Sequence, residues 1–230
     1  MSEEKTGFLE SQYYPVVFML VLSVVFVGVL SVFYRSTEKG IEEYRRQTYQ
    51  LQIMSLFADT LATVTGKDAA SFTNPADIQT NFSEYVREQQ SSLKDKSVIG
   101  ETYYLITDGT DTALGICYDI RGSGLWGTMR GLLALTSDQR SIINFAIYDQ
   151  METPGLGSRV EEDWFKKQFA GKPFGIGTQS VSFSLVPEDA SASEKEIRQV
   201  TGATITSASV LKMIQEAAIQ LDGERLEMDK

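Results

Sequence analysis

The chain has 230 residues, 42% of them hydrophobic, which suits one ordinary domain with a core plus an attachment. Its 31 acidic residues outnumber 21 basic ones, and the formal net charge of -10 repels nucleic acid and leaves no basic stripe to track a phosphate backbone. Histidine is absent and Cys117 is the only cysteine, which excludes imidazole acid–base work, His-dependent nucleophiles, HExxH zinc sites and any four-cysteine cluster built from this chain alone. Any chemistry here either needs no internal base or is carried by a cofactor.

Residues 1–14 form a short tail. "PVVFMLVLSVVFVGVLSVFY", Pro15 to Tyr34, follows, with no charge between Val16 and Phe33. An apolar run of about 18 residues or more is long enough to cross a bilayer as a helix. Tyr13 and Tyr14 at one end, and Phe33 and Tyr34 at the other, fall where interfacial aromatics belong. A signal peptide would have an apolar region of only about 7–15 residues and a small-x-small cleavage site, and none follows here. A buried core helix would show a polar face. Residues 15–34 therefore read as a transmembrane helix. Lys5 precedes it, whereas Arg35, Lys39, Arg45 and Arg46 follow, and by the positive-inside rule that bias keeps the rest of the chain in the cytoplasm.

Residues 35–65 are predicted to form a juxtamembrane helical segment, apolar at 51, 53, 54, 56, 57 and 61, which docks onto a folded domain at 66–223. A polar stretch then contains a short helix around 78–90. Strand-like runs follow at 102–107, 112–120, 129–135 and 141–149, separated by "DGT", "GSG" and "SDQR" at hairpin spacing. Cys117 lies in the second run and reads as a core residue. A helix is expected at "RVEEDWFKKQFAG" (159–171), a strand at "TQSVSFSLV" (178–186), and a polar loop at "PEDASASEKE". The closing helix "VLKMIQEAAIQL" is apolar at 210, 211, 214, 217, 218 and 221, and residues 224–230 are a tail. Clustered strands with helices at the ends make this an α+β domain on an antiparallel sheet with flanking helices.

Three stretches could carry chemistry. "GSGLWG" (Gly122 to Gly127) fits G-x-G-x-x-G, with Asp149 at a suitable distance downstream, but a dinucleotide site needs a helix after it and here a strand follows. It reads as a Gly-rich turn between strands, whose Leu125 and Trp126 are either core or the wall of a flat aromatic ligand's site. "ETPGLG" (Glu152 to Gly157) follows a strand; Gly155 and its neighbours fix an unusual backbone path, and Thr153 supplies a hydroxyl. "TGATITSAS" (201–209) crowds Thr201, Thr204, Thr206, Ser207 and Ser209 at the mouth of the last helix. Helix N-termini bind phosphate readily, and Gly202 would let a ligand approach the backbone. Chemistry alone leaves a capped helix and a phosphate site equally open.

"TGATITS" resembles the S/T-G-A-T-x-T/S motif of the FMN-binding domains in the NqrC subunit of sodium-pumping NADH:quinone reductase and in its counterpart of the Rnf complex. "GLWGTMRGLLAL" is similar to a strand region of the quinone-reductase protein, and "ETPGLG" to a loop shared by both families. The resemblance implies FMN held by a phosphoester to Thr204, with Thr201, Gly202, Ala203, Thr206, Ser207, Thr153, Gly155, Leu156, Leu125 and Trp126 around it. It implies a membrane-anchored electron relay, fed by an iron–sulfur centre in neighbouring membrane subunits and emptied into a second flavin subunit, with the domain on the extracytoplasmic side. A separate flavin transferase would make the link, which suits a chain without a base to activate a threonine hydroxyl. The family's motif carries Asp three residues before its S/T, and here that place is Arg198, with Glu196 nearby. The Rnf counterpart and a cofactor-free, membrane-tethered assembly domain are the other readings.

Overall fold

The computed structural model describes residues 13–91, 93, 95–110, 112–175 and 182–228, with side chains to 222. The chain divides into two compact units, Met1–Thr48 and Tyr49–Lys230. Helix α1 spans Tyr14–Thr65. In the first unit, an 18-residue window of this helix has a mean hydropathy of 3.0 and is wholly unburied, so it is long and apolar enough to cross a membrane.

The second unit is a five-stranded antiparallel meander with helices on both faces. After α1 come two short helices, α2 (Ala69–Phe72) and α3 (Ile78–Tyr85). The sheet follows in the order β1 (Val86–Gln90), β2 (Ile99–Thr107), β3 (Ala113–Ser123), β4 (Thr128–Thr136) and β5 (Ile142–Asp149). The helix expected around 78–90 therefore ends at Tyr85. The rest is an edge strand that pairs Val86 with Ile106 and Gln90 with Thr102. Its polar sequence hides it, because only Val86 is buried and the exposed side of an edge strand needs no apolar pattern.

β4 shows why the central runs are apolar throughout. Met129, Leu133 and Leu135 pack on one face, and Leu132 and Ala134 on the other, so alternation disappears when both faces are covered. One face takes Ile53, Met54, Phe57 and Leu61 of α1, all fully buried. Burying each such side chain stabilises the fold by roughly 1.5–3 kcal/mol. The other face takes the segment from Gly157 to Phe169 and the final helix. That segment is not the single helix expected: a 3-10 turn (Gly157–Glu161), α4 (Asp163–Lys166) and a second 3-10 turn (Lys167–Phe169) bring Val160, Phe165 and Phe169 inward in sequence. Two short parallel strands, β6 (Ser184–Val186) and β7 (Glu196–Arg198), lead to α5 (Thr204–Met228). The earlier part of the strand expected at 178–186 includes residues outside those described.

Candidate functional site

The three stretches meet at one end of the α5 face. Gly124 to Gly127 form a tight hairpin between β3 and β4, closed by the Gly124 N–H donating to the Gly127 carbonyl at 2.7 Å. A strand follows the glycines, as expected. Gly122 serves packing: a Cβ there would lie 2.9 Å from Met213 Cβ on α5. At the tip, Leu125 is half-exposed and Trp126 is 67% exposed. An indole held in water at a glycine turn leaves apolar surface that a ligand or partner can cover.

The Glu152–Gly157 loop is bent back by Leu156 and Ser158, whose N–H groups both donate to the Thr153 carbonyl at 3.1 and 3.2 Å. Gly155 sits at φ 74°, a conformation that favours glycine. Thr153 is exposed and Leu156 half-exposed. Gly202, at φ 78°, faces this loop, and a Cβ on it would meet Leu156 Cδ2 at 3.1 Å.

α5 begins earlier than its apolar stripe suggests, so Thr204, Thr206 and Ser207 are inside its first turn instead of before it. The hydroxyls then divide by direction. Thr206 is buried and donates to Glu152 Oε2 at 2.6 Å. Ser207 is buried and accepts the Val200 N–H at 3.0 Å. Thr201 is exposed, and its N–H donates to Glu188 Oε2 at 2.8 Å. Ala203 is buried and donates its N–H to the Val200 carbonyl at 3.0 Å. Thr204 is exposed, and among the described residues its hydroxyl has no hydrogen-bond partner. Thr206 and Ser207 thus brace the frame, and Thr204 is the hydroxyl left on offer.

No sequence pattern singles out Glu152. It is 5% exposed, its Oε1 accepts the Leu125 and Trp126 N–H groups at 2.8 and 3.1 Å, and its Oε2 accepts the Thr206 hydroxyl. Its own N–H donates to the side-chain oxygen of Gln150. One carboxylate therefore touches all three stretches. Ile205 and Met151 also escape the sequence reading; both are exposed apolar side chains beside the site. An isoleucine set among the hydroxyls of "TGATITS" is the signal that could have found the first of them.

A second carboxylate, Glu188, borders an open groove of about 720 Å³ that reaches Thr201 and Gly202. Arg159 grips it with a two-pronged bond at 2.7 and 3.2 Å, and this pairing, aided by Thr201, holds the Glu188 carboxyl down at about 2. Glu196 is occupied elsewhere, accepting the Ser193 N–H at 2.9 Å. Arg198 exchanges hydrogen bonds with Gln168 and lies over the Trp164 ring, 5.8 Å from its centroid. The carboxylate beside the TGAT turn is thus Glu188. Cys117 is wholly buried in the α1-side core, where burial pushes its thiol up.

Residues 124–219 match the model of the FMN-binding domain family. Curated relatives include the NqrC subunit of the Na(+)-translocating NADH-quinone reductase from Pseudomonas aeruginosa, 33% identical over 129 residues that make up 54% of this chain and 48% of that protein. The same subunit from Neisseria meningitidis serogroup B is 28% identical over 66% of this chain and 55% of that protein. The chain thus spans about half the length of the curated relatives it matches. Among solved structures, the NqrC of Parabacteroides distasonis superposes with a TM-score of 0.52 at 18% identity, covering 79% of this chain and 95% of that one. The Shewanella oneidensis NqrC gives 0.53 at 15%, covering 67% and 87%. Leu125, Trp126, Glu152 and Thr204 all lie inside the stretch similar to the FMN-binding domain family, and the chain shares the fold of the solved NqrC structures.

Proposed function

We propose that this chain is a membrane-anchored flavoprotein subunit that carries FMN as a phosphoester on Thr204 and relays electrons within a Na(+)-translocating NADH:quinone reductase. The observation that carries the attachment site is the division of hydroxyls in 201–207: Thr206 and Ser207 are engaged inside, Glu188 engages Thr201, and Thr204 alone is exposed without a partner among the described residues. Thr204 is also β-branched and helical, so a tether on it has few rotamers. Leu125, Trp126 and Leu156 are the apolar surfaces that would flank the ring, with Thr153 at the rim. FMN supplies one- and two-electron redox chemistry when bound, and the protein supplies position and field.

The names of the relatives support membership of the quinone reductase. Its partners would then be membrane subunits, with an iron–sulfur-bearing pair and a second flavin subunit among them. A flavin transferase would act during maturation. The apolar helix would hold the protein in the inner membrane with the domain on the extracytoplasmic side. A covalent link fits that side, because free FMN lost there is not resupplied. Flavin fluorescence that stays with the chain in an SDS gel tests the reading, and a cofactor-free assembly domain would show none. Peptide mass spectrometry should place the FMN-sized addition on Thr204, and Thr204→Ala should abolish it while changing stability by no more than about 0.5 kcal/mol, as expected of an exposed side chain. An addition on Thr201 or Thr206 would overturn the assignment.

A further inference from the structure

Among the described residues, Glu152 is the side chain bonded to both halves of the site. Its Oε1 holds the backbone of Leu125 and Trp126 at the β3–β4 tip, 27 and 26 residues away in sequence, and its Oε2 holds Thr206 on α5, 54 residues away. Three donors converge on it from two distant elements, an acceptor-only pattern suited to a carboxylate. The backbone makes room for it on two sides. A Cβ on Gly157 would meet Glu152 Cβ and Oε2 at 2.8 Å and Thr206 Oγ1 at 2.9 Å, and a Cβ on Gly124 would collide with Glu152 Oε1. A carboxylate nested between two glycines, and nearly sealed from water, is a costly arrangement for an ordinary loop. The tip it holds carries two exposed apolar side chains, and the helix it holds carries the exposed threonine.

We propose that Glu152 is the positioning residue of the flavin site, fixing the Leu125–Trp126 wall at a set distance from the Thr204 tether. This rests on the reading of Thr204 as the attachment point. A phosphoester on a single side chain leaves the ring free to swing, so a tether alone does not place a flavin. Bracing the wall against the first turn of the tethering helix removes that freedom, and the bond from Thr206, two residues beyond Thr204, is the brace. The carboxylate, itself buried, also brings negative charge beside the site, which opposes adding electrons to a bound flavin.

The test uses the full chain, as expressed and after flavinylation, with Glu152→Ala, Glu152→Gln and Thr206→Val. On the unloaded chain, amide exchange at Leu125 and Trp126 should be slow in the wild type, fast in E152A and slow again in E152Q, whose amide oxygen accepts both N–H groups while its NH2 donates to Thr206. This readout does not depend on where the flavin attaches. On the loaded chain, T206V keeps the charge and cuts the brace. Its flavin fluorescence should rise severalfold as the ring leaves Trp126, its anisotropy should fall, and its visible circular dichroism should weaken. E152Q should keep wild-type anisotropy and show a midpoint potential shifted positive. Fast exchange at Leu125 and Trp126 in the wild type, or unchanged anisotropy and dichroism in loaded T206V, would overturn the positioning role. Should E152A fail to fold, T206V alone decides it. Absence of covalent flavin from the wild type would instead sink the Thr204 reading.

Discussion

The two faces of the sheet are built differently. On the α1 side, Ile53, Met54, Phe57 and Leu61 meet Ile106, Cys117, Leu132 and Ala134 in an almost wholly apolar contact. Its polar members sit at the margin, where the Tyr49 ring packs edge-on to Tyr104 and Tyr148 at 5.9 and 5.3 Å. There Tyr148 donates to Asp119 at 2.9 Å, and burial together with the Asp119 charge pushes its hydroxyl up. The α5 side has an apolar centre as well, with Phe145, Phe165, Phe169 and Phe183 stacked edge to face. At one end, however, it buries Glu152, Thr206 and Ser207, three of the five buried polar residues among those described. Burying polar groups costs free energy unless each is bonded. The α1 side buries Gln50 on its own helix and the α1-side core takes up Thr107 through the Tyr85 carbonyl, singly and apart, whereas the α5 side gathers its three where the loops meet.

The largest break in this contrast should come from the α1 side. Phe57 is fully buried, and its ring edge fills the space a Cβ on Gly115 would occupy. Phe57→Ala should cost about 3–5 kcal/mol in urea unfolding, through lost burial and the cavity left behind. Protein that remains folded should carry as much covalent flavin as the wild type. Loss of flavin from the folded fraction would mean that the packing face and the site are one unit.

A smaller change should break the other end alone. Gly157→Ala thrusts a methyl into the Glu152–Thr206 contact, and overpacking of this kind costs about 1–3 kcal/mol. Amide exchange should accelerate at Leu125 and Trp126 and stay slow from Ile53 to Leu61. Equal acceleration in both places would show that the site shares the core's cooperativity instead of opening separately.

The contrast also explains what can be read in the sequence. β2 to β5 are legible because strands buried on both faces are apolar along their length, and the first part of α1 because an uncharged run of that length is long and apolar enough to cross a membrane. β1 is not, since "VREQQ" is an edge defined by its pairing with Thr102 to Ile106 and not by its own pattern. The start of α5 is hidden too, because Thr204 to Ser207 look like caps and only the fold shows them to be helix. Leu125, Trp126, Thr153 and Leu156 are candidates from two glycine-rich turns, which are local, and from the family resemblance of those turns. Glu152 belongs to the same loop and carries no signal, because its partners are backbone N–H groups and a hydroxyl 26 to 54 residues away. Contacts of that kind belong to the fold and leave no local mark.

The finest test concerns the rim, where the site is held by charge in contact with water. Glu188 joins Arg159 to the Thr201 N–H, and the Arg159 fork, with help from Thr201, lowers its carboxyl from 4.5 to about 2. A depressed folded value means the link stabilises the native state fully above about pH 4.5 and is lost as pH falls toward 2. The carboxyl carbon of Glu188 should therefore hold its ionised chemical shift between about pH 4.5 and 3, while exposed carboxylates elsewhere protonate. Arg159→Ala should return its midpoint toward 4.5, and salt should do the same in part, since the pair is open to solvent. The contacts of Ile53, Met54, Phe57 and Leu61 are apolar, so mild acid should leave Ile53 to Leu61 protected in either protein. A wild-type midpoint near 4.5 would mean that Arg159 does not grip Glu188 in solution, and that the TGAT turn is braced by Glu152 and Ser207 alone.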